Sequence, residues 1–352
     1  MIHPEETSRS LLPPLGSDAI LRRRFMVVTD TMPGNLRFGL LLEVLDKLAE
    51  ETALLYAQRV DPAARVVTAA IDNIFIRNAA DVGRDIAFHA RINHVGRSSM
   101  EVGIRVEHPG DPALHIASCY FTMVARSGSG ETATSLTLPP LAYNAGEEMT
   151  RKEKALASRE AYRQQQAVEL SPPVATEFSL LQLLHLAQDA GGFAGHLAGS
   201  LQTESWERMY PEQENVPQSI FGGYLVRRAY ELASICAEEL APERPVIVAV
   251  NRINFFQPVR LDDKLHFTTR IVYSGATSLV VEANIERISR DRSNHSISNS
   301  CLFTFVNVDR KLTPQPVPPL YPTTYKEDAR YLAAYRQHQA YQEARRQGKF
   351  HH

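Results

Sequence analysis

The pattern of apolar and polar positions predicts a long helix followed by strands, and this order occurs twice. Apolar residues between 38 and 57 recur at spacings of three and four and form a wide stripe, which is typical of a largely buried helix. Between 100 and 107, apolar residues alternate with charged or small ones, and this period of two predicts a half-buried strand. Segments 222–240 and 279–285 show the same two patterns later in the chain.

The sequence also repeats itself directly. HVGRSSMEVGIRVE (94–107) aligns with YSGATSLVVEANIE (273–286), an offset of 273 − 94 = 179 residues. AAIDNIFI (69–76) aligns with VAVNRINF (248–255) at the same offset, and the order of the matches is the same in both halves. Because a sheet with one apolar face can bury it on a helix, the repeat predicts an α+β protein with two copies of one sheet-and-helix domain.

The two copies are predicted at 18–126 and 200–310. The region between them, 127–199, begins with glycine and serine at turn density and continues with charged, helix-forming residues, so we expect a helical linker. The segment 311–352 is predicted to be a helical tail. We expect the linker and tail helices to brace the repeat.

Composition narrows the partners and the compartment. The formal charge of −2 comes with basic residues that are spread along the chain, which argues against a nucleic-acid partner. No run approaches the apolar length of a membrane span, and the N-terminus lacks the apolar core of a signal peptide. The three cysteines are far apart in apolar contexts, as expected of buried thiols in a reducing compartment. We therefore expect a cytoplasmic protein, or one of the mitochondrial matrix if the source is eukaryotic.

A pair of glycines raises the question of a site. Gly222 and Gly223 run directly into the second predicted helix, although glycine costs a helix about 1 kcal/mol relative to alanine. Backbone amides at a helix start bind negative charge, which gives such a pair a chemical use. The alternative is structural, since glycines also let a helix pack closely against a strand.

Four segments together point to a family: RFGLLLEVLDKLAEE (37–51), VGRSSMEV (95–102), SIFGGYLVRRAYELA (219–233) and VAVNRINFFQPVRL (248–261). In this order they resemble the two-hotdog acyl-CoA thioesterases, above all the mitochondrial two-domain type. The resemblance implies a tandem hotdog fold, in which each curved antiparallel sheet wraps around a long central helix. It implies hydrolysis of an acyl-CoA to a free acid and CoA, with no separate cofactor and no metal. It also implies a homo-oligomer, for which we expect a trimer first and a dimer next.

The resemblance further implies one composite site built across the two domains. Related enzymes pair a glycine-rich helix start in one hotdog with an aspartate on the central helix of the other. Carried over to this chain, Asp46 would be the general base or the nucleophile. The amides of Gly222 and Gly223 would stabilise the oxyanion, and Gln218 or Ser219 would position the water or the thioester. The sequence does not choose between the two roles of Asp46.

The opposite pseudo-site is implied to be weak or inactive. Tyr230 stands seven positions after Gly223, where the first helix has Asp46 seven positions after its own glycine. Asn35 precedes the start of the first helix and would face Tyr230 and Glu231. We expect this second site to be dead unless Glu231 replaces the missing acid.

The turns of the repeat supply candidate substrate contacts. Related enzymes run the pantetheine arm past such turns, so Ser98, Ser99 and Thr277 are candidates, and Arg97 would meet the CoA phosphates. The alternative for all four is an ordinary turn before a strand.

Two other functions fit the fold. A hotdog enoyl-CoA hydratase needs an aspartate and a histidine close together, and DTMPGNLRF (30–38) lacks the histidine. A regulatory protein that binds acyl-CoA without turnover is the other alternative, because a fold alone does not define a function. Acyl chain length and pathway do not follow from the sequence.

Overall fold

The computed structural model describes residues 2–30, 32–110, 112–128, 133–169, 171–216, 219–220, 222–251 and 253–346. The helices of this part of the chain are α1 (Ala19–Arg24), α2 (Phe38–Ala57), α3 (Glu147–Glu169), α4 (Ala175–Gln188), α5 (Gly222–Glu238) and α6 (Tyr325–Arg346). Short 3-10 helices lie at Pro4–Thr7, Ala198–Ser200 and Pro211–Gln213.

The strands of the first half and of the linker are β1 (Arg9–Leu11), β2 (Arg65–Ile71), β3 (Ile74–Ile76), β4 (Ala87–Val95), β5 (Ser99–His108), β6 (Leu114–Ser127), β7 (Thr134–Ser135) and β8 (His196–Leu197). Those of the second half and the tail are β9 (Gln202–Arg208), β10 (Glu214–Val216), β11 (Ser219–Ile220), β12 (Arg244–Val250), β13 (Ile253–Phe255), β14 (Lys264–Ser274), β15 (Ser278–Ile288), β16 (His295–Val308) and β17 (Leu320–Tyr321).

The predicted repeat is confirmed, and each half is an antiparallel sheet packed on one long helix. Helix α2 covers the predicted segment, and α5 begins at the double glycine and ends two residues before the predicted end. Helix α2 packs against β2, β4, β5 and β6, while α5 packs against β9, β12, β14, β15 and β16. Leu41, Leu42 and Leu45 of α2 are fully buried, and each such burial contributes about 1.5–3 kcal/mol. The chain therefore has the tandem hotdog fold, in the α+β class.

The two halves join into one sheet by a reciprocal seam. In the described residues, thirteen strands form a single sheet in which β2 pairs with β13 and β3 pairs with β12. Ile71 lies opposite Ile253, and Ile74 lies opposite Val250. At the repeat offset of 179, Ile71 corresponds to Val250 and Ile74 to Ile253, so each half uses the same residues to hold the other. The halves are thus related as the two subunits of a symmetric dimer, and α2 packs on α5.

The linker and tail helices cover equivalent strands. Helix α3 packs on β4 in the first half and α6 packs on β14 in the second, as the bracing prediction requires. Strand β1 pairs with β4 although it lies before residue 18, and β9 takes the same place beside β14. The exact domain boundaries stay predictions. Among the described helices, none is both long and apolar enough to cross a membrane.

Candidate active site

The carboxylate of Asp46 joins three elements of the fold. Asp46 lies on α2 and is only 1% exposed. Its Oδ2 accepts a hydrogen bond of 2.7 Å from the backbone N–H of Gly223, at the start of α5 in the other half. Its Oδ1 accepts a hydrogen bond of 2.6 Å from the hydroxyl of Thr68 on β2. The acid and the double glycine, which are far apart in sequence, therefore meet across the interface between the halves.

The start of α5 is built to approach this carboxylate. The first amides of a helix have no acceptor within the helix, and the helix dipole favours negative charge there. A Cβ at position 222 would lie 3.0 Å from Cε1 of Phe255 and 3.3 Å from Oδ2 of Asp46. Gly222 thus lets the helix start approach both Phe255 of β13 and the carboxylate of Asp46.

Burial dominates the acidity of Asp46. It raises the pKa of the carboxyl from its ordinary 3.8 to about 7, against the hydrogen bonds from Thr68 and Gly223, which favour the charged form. The nearby carboxylates of Glu50 and Glu43 add to the rise. An acid whose pKa lies near neutrality can both take up and return a proton, which is the property required of a general base.

A cavity of about 350 Å³ opens beside this carboxylate. Thr68, which donates to Asp46, lies in its wall together with Gly222, the neighbour of the donor Gly223. Most of the wall is apolar and comes from both halves, with one acidic and one basic side chain among its members: Val66, Val124, Leu225, Phe255, Val259, Glu50 and Arg126. Such a mixture suits a ligand with an apolar part and a polar end.

The other predicted members of the site are placed less completely. Gly223 was predicted to donate its N–H to an oxyanion, but in this structure that N–H donates to Asp46. Its role toward a substrate therefore stays a prediction. Gln218 lies outside the described residues. Ser219 pairs through its backbone with Val216, and its side chain lies outside the described part of the chain.

The pseudo-site is filled by aromatic side chains. Tyr230 is 9% exposed and packs edge to face on Phe38, with ring centroids 5.3 Å apart. The two central helices correspond at an offset of 230 − 46 = 184 residues, so Phe38 is equivalent to Gly222 and Tyr230 to Asp46. At the strand offset of 179, Ile247 is equivalent to Thr68. The acid, the hydroxyl and the open glycine position are all replaced. The structure thus gives a physical reason for the expected inactivity.

Asn35 and Glu231 have structural partners instead of facing an open pseudo-site. The side-chain oxygen of Asn35 accepts hydrogen bonds of 3.0 Å from the N–H groups of Val27 and Val28, and its amide donates to the carbonyls of Val28 and Asp30. Its hydrogen bonds therefore hold its own loop. The predicted position opposite Tyr230 finds no support in these bonds.

Glu231 belongs to an ion-pair network between the helices. Arg37 donates to it from the start of α2, and Arg227 and Arg228 donate from α5. Partial burial acts to raise the pKa of Glu231, but the hydrogen bond from Arg37 and the charge of Arg227 outweigh it, so the pKa lies below its usual value. A carboxylate held by three arginines is a poor base, which argues against Glu231 as the replacement acid.

The backbones of the predicted turn residues are engaged by neighbouring segments. Arg97, Ser98 and Thr277 offer backbone carbonyls to Leu138, Ala125 and Asn307, while the carbonyl of Ser99 accepts from Gly96. None of the four lines the cavity described above. Their predicted contacts with a substrate stay untested.

Sequence reasoning missed Thr68. A signal was present, because the aligned strands RVVTAAI (65–71) and RPVIVAV (244–250) place a threonine against an isoleucine. A hydroxyl in only one of two equivalent buried strands suggests a polar partner on that side alone. The partner is Asp46.

The comparisons with known proteins agree with the two-domain fold. A family model described as thioesterase superfamily matches residues 44–114 and 218–293, one stretch in each half. Human acyl-coenzyme A thioesterase 9, mitochondrial, is 27% identical over 338 residues, which cover 92% of this chain and 74% of the human protein. A Zymomonas mobilis protein named as an uncharacterized acyl-CoA thioester hydrolase is 34% identical over 118 residues, covering 34% of this chain and 79% of that protein.

Among solved structures, the 12:0-ACP thioesterase from Umbellularia californica is similar in fold. The TM-score is 0.52 at 11% identity, covering 88% of this chain and 95% of that one. The chain is a tandem hotdog in which an acid of one central helix is hydrogen-bonded to the helix start of the other half. The chain belongs to the thioesterase superfamily.

Proposed function

We propose that this protein hydrolyses acyl-CoA thioesters to a free carboxylic acid and CoA, at one composite site per chain. The observation that carries the proposal is the Asp46 carboxylate, which is buried beside a cavity and held at both oxygens by Thr68 and Gly223. The relatives named as acyl-CoA thioesterases supply the substrate class.

In the general-base route, ionised Asp46 takes a proton from water while the water oxygen attacks the thioester carbonyl carbon. Negative charge forms on the carbonyl oxygen, the carbon–sulfur bond then breaks, and the leaving thiolate takes up the proton. In the nucleophilic route, an oxygen of Asp46 attacks instead and CoA leaves, which gives a mixed anhydride. Water then hydrolyses the anhydride and restores Asp46. Both routes convert a thioester and water into an acid and a thiol.

The neighbours of Asp46 have distinct parts in this proposal. Thr68 and the N–H of Gly223 stabilise the carboxylate and fix its direction before the reaction. Once Asp46 has taken the proton, the carbonyl oxygen carries the negative charge and becomes the stronger acceptor for the N–H of Gly223. The apolar wall formed by Val66, Leu225 and Val259 accommodates acyl carbon atoms.

The test is a panel of acyl-CoA substrates of increasing chain length, with thiol release followed by a chromogenic thiol reagent. The matched variant is Asp46→Asn, in which the amide oxygen still accepts from Gly223 and the amide nitrogen donates to the hydroxyl of Thr68. We expect the chain to release thiol and the variant to lose at least about a hundredfold in kcat/KM while its melting temperature does not fall. Near-normal turnover in the variant would sink the assignment. Saturable acyl-CoA binding without thiol release would favour a non-catalytic acyl-CoA-binding protein.

Compartment and assembly belong to the same proposal. The cysteines Cys119, Cys236 and Cys301 are buried and free, which suits a reducing compartment, and several relatives are named as mitochondrial. We therefore place the protein in the cytoplasm or, in a eukaryote, in the mitochondrial matrix. The sheet ends at β1 and β9, and such edges favour further association. A trimer is expected first and a dimer next, as light scattering on the eluting protein will determine.

A further inference from the structure

The outer face of the first-half sheet carries a second cleft, between the sheet and helix α3. Its volume is about 460 Å³, which exceeds that of the cavity beside Asp46. Along β4, His89, Arg91 and Asn93 line the cleft. The alternate residues Phe88 and Ile92 are buried in the core that also contains α2. Because successive side chains of a strand point to opposite faces, the cleft lies across the sheet from Asp46.

The cleft is strongly basic, although the whole chain carries a formal charge of −2. One carboxylate, Glu147, lies in its described wall together with five basic side chains: Arg9, Arg91, Arg105, Arg151 and Lys154. Arg151 already binds Glu147, and Arg105 binds Glu107 outside the wall. Positive charge is therefore concentrated here beyond what the wall itself neutralises.

Arg91 is a basic residue of the cleft with buried donors that lack hydrogen bonds to the described residues. Its side chain is 14% exposed, and its Nε and Nη2 atoms are buried without a hydrogen bond to any described residue. The nearest carboxylate oxygen, Oε1 of Glu147, is 3.7 Å from Nη2 and is bound to Arg151. Burial, followed by the charge of Arg151, lowers the pKa of Arg91 against the opposing charges of Glu147, Glu148 and Glu5. Leaving buried donors of a guanidinium without an acceptor is costly, so this position favours an anion.

Comparison with the second half shows that Arg91 lacks a cross-strand carboxylate. In the second half the equivalent residue is Arg270, whose cross-strand partner on β15 is Glu282. Glu282 pairs with Arg270 at 3.6 Å and with Arg330 of α6 at 3.2 Å. The cavity at that place is only about 30 Å³. There the protein supplies a cross-strand carboxylate and leaves little space, although Nε of Arg270 is, like that of Arg91, buried without a hydrogen bond to a described residue.

The first half has a glycine at the same register position. Arg91 lies opposite Gly103 on β5, as Arg270 lies opposite Glu282. The neutral side chain of Asn93 lies over Gly103, and its Oδ1 is buried without a hydrogen bond to a described residue. The arginine has thus been kept while its cross-strand carboxylate has been replaced by a glycine and an open cleft, and its carboxylate partner is Glu147 of α3, which it shares with Arg151.

We propose that the cleft between β4, β5 and α3 binds a small phosphate-bearing anion, which takes the place that the Glu282 carboxylate has in the second half. Several basic side chains surround one position, which matches the multiple charges of a phosphate better than a single carboxylate, and guanidinium groups bind phosphate in two-point geometry. The site is separate from the reaction at Asp46, and the proposal does not depend on the proposed function.

The test uses inorganic pyrophosphate as the probe in isothermal titration calorimetry of the full chain at constant ionic strength. We expect saturable binding with Kd below about 1 mM, weakened at least about tenfold in Arg91→Gln. The double variant Asn93→Val with Gly103→Glu installs the second half's residues at both positions and is expected to abolish binding. Malonate, as a dicarboxylate, is expected to bind more weakly than pyrophosphate.

Two control variants separate this cleft from other basic positions. Arg270→Gln alters the equivalent arginine of the second half, and Arg126→Gln alters the basic residue of the cavity beside Asp46. Both are expected to bind pyrophosphate within about twofold of the unaltered chain. The absence of binding to the unaltered chain, or equal binding by a folded Arg91→Gln variant, would overturn the site. Tighter binding of malonate would overturn the choice of phosphate. Circular dichroism of each variant confirms that it is folded.

Discussion

Asp46 and Tyr230 occupy equivalent positions on the central helices of the two halves, yet one is a buried acid and the other a buried aromatic. Asp46 meets the amide of Gly223 and the hydroxyl of Thr68, whereas Tyr230 packs on Phe38. The same fold position therefore holds a hydrogen-bonded carboxylate on one side and part of an apolar core on the other.

The pH dependence of turnover should report the ionisation of Asp46. Both proposed routes need the charged carboxylate, and burial raises its pKa to about 7. We expect kcat/KM to rise about tenfold per pH unit on the acid side and to level off above about pH 7. Thiol release measured across this range, with a short acyl-CoA, checks the limb. A flat profile that extends down to about pH 5 would contradict the role of Asp46.

The stability of the fold should depend on pH in the opposite sense. The pKa of Asp46 in the folded chain lies above its ordinary 3.8, so the folded state holds the proton more firmly than the unfolded state. This contribution is fully present below about pH 4 and is lost as the pH rises through about 7, with a total on the order of 4 kcal/mol. Urea unfolding of the unaltered chain and of Asp46→Asn at several pH values measures it. As the pH rises, the unfolding free energy of the unaltered chain should fall relative to that of Asp46→Asn.

Removal of the Thr68 hydroxyl should move the acid side of the pH profile of kcat/KM to higher pH. Thr68→Val deletes a donor that stabilises the charged form of Asp46, so the pKa of Asp46 rises further. A hydrogen bond to a charged group contributes about 1.5–3 kcal/mol, which corresponds to a limb displaced by about one pH unit or more. Thr68→Ser keeps the hydroxyl and should restore the original limb. A Thr68→Val profile that loses rate without moving the limb would indicate packing damage alone.

Crowding at the helix start should affect turnover only on the Asp46 side. In Gly222→Ala the new Cβ would lie 3.0 Å from Phe255 and 3.3 Å from Asp46 Oδ2, so the carboxylate or its neighbours must shift. We expect kcat/KM to fall at least about tenfold. Gly39→Ala is the matched control, because its Cβ would be equally crowded by Arg227 and Tyr230. That control should lose stability while retaining turnover, and an equal loss of turnover would contradict a single active site.

Glu231→Gln should separate stability from catalysis at the pseudo-site. The change leaves Arg37, Arg227 and Arg228 without their shared carboxylate and is expected to cost about 2 kcal/mol of unfolding free energy. Turnover should stay within about twofold of the unaltered chain, because Glu231 lies outside the Asp46 network. Activity losses as large as those of Asp46→Asn would mean that both sites work.

Local pattern was sufficient for the parts of the fold that depend on short-range spacing. The apolar stripe of 38–57 and the alternation of 100–107 fall on α2 and β5. Strand β1 was not predicted, because Arg9–Leu11 is exposed and too short to show a period, and its order comes from pairing with β4. The seam between the halves was also out of reach, since pairing of Ile71 with Ile253 depends on the packing of whole sheets.

Local pattern was likewise sufficient for some residues of the candidate sites and not for others. Comparison of the two helices could single out Asp46 against Tyr230, because both positions are fixed by helical spacing from a glycine. The hydroxyl of Thr68 required knowledge of which strand lies beside the acid. The contrast between Arg91 with Gly103 and Arg270 with Glu282 required the cross-strand register, which a linear sequence does not display.

The reciprocal seam also has a consequence for how the two halves find each other. If they were separate chains, the interface would allow like to pair with like, and two first halves would set each Asp46 against Phe38 and Gly39 rather than against a double glycine. Two second halves would have Tyr230 in place of the acid at both positions equivalent to Asp46. Joining them in one polypeptide raises the local concentration of the unlike partner far above that of any competing chain. Because one chain contains both halves, every first half with Asp46 is made together with one second half that contains Gly223, whatever the expression level.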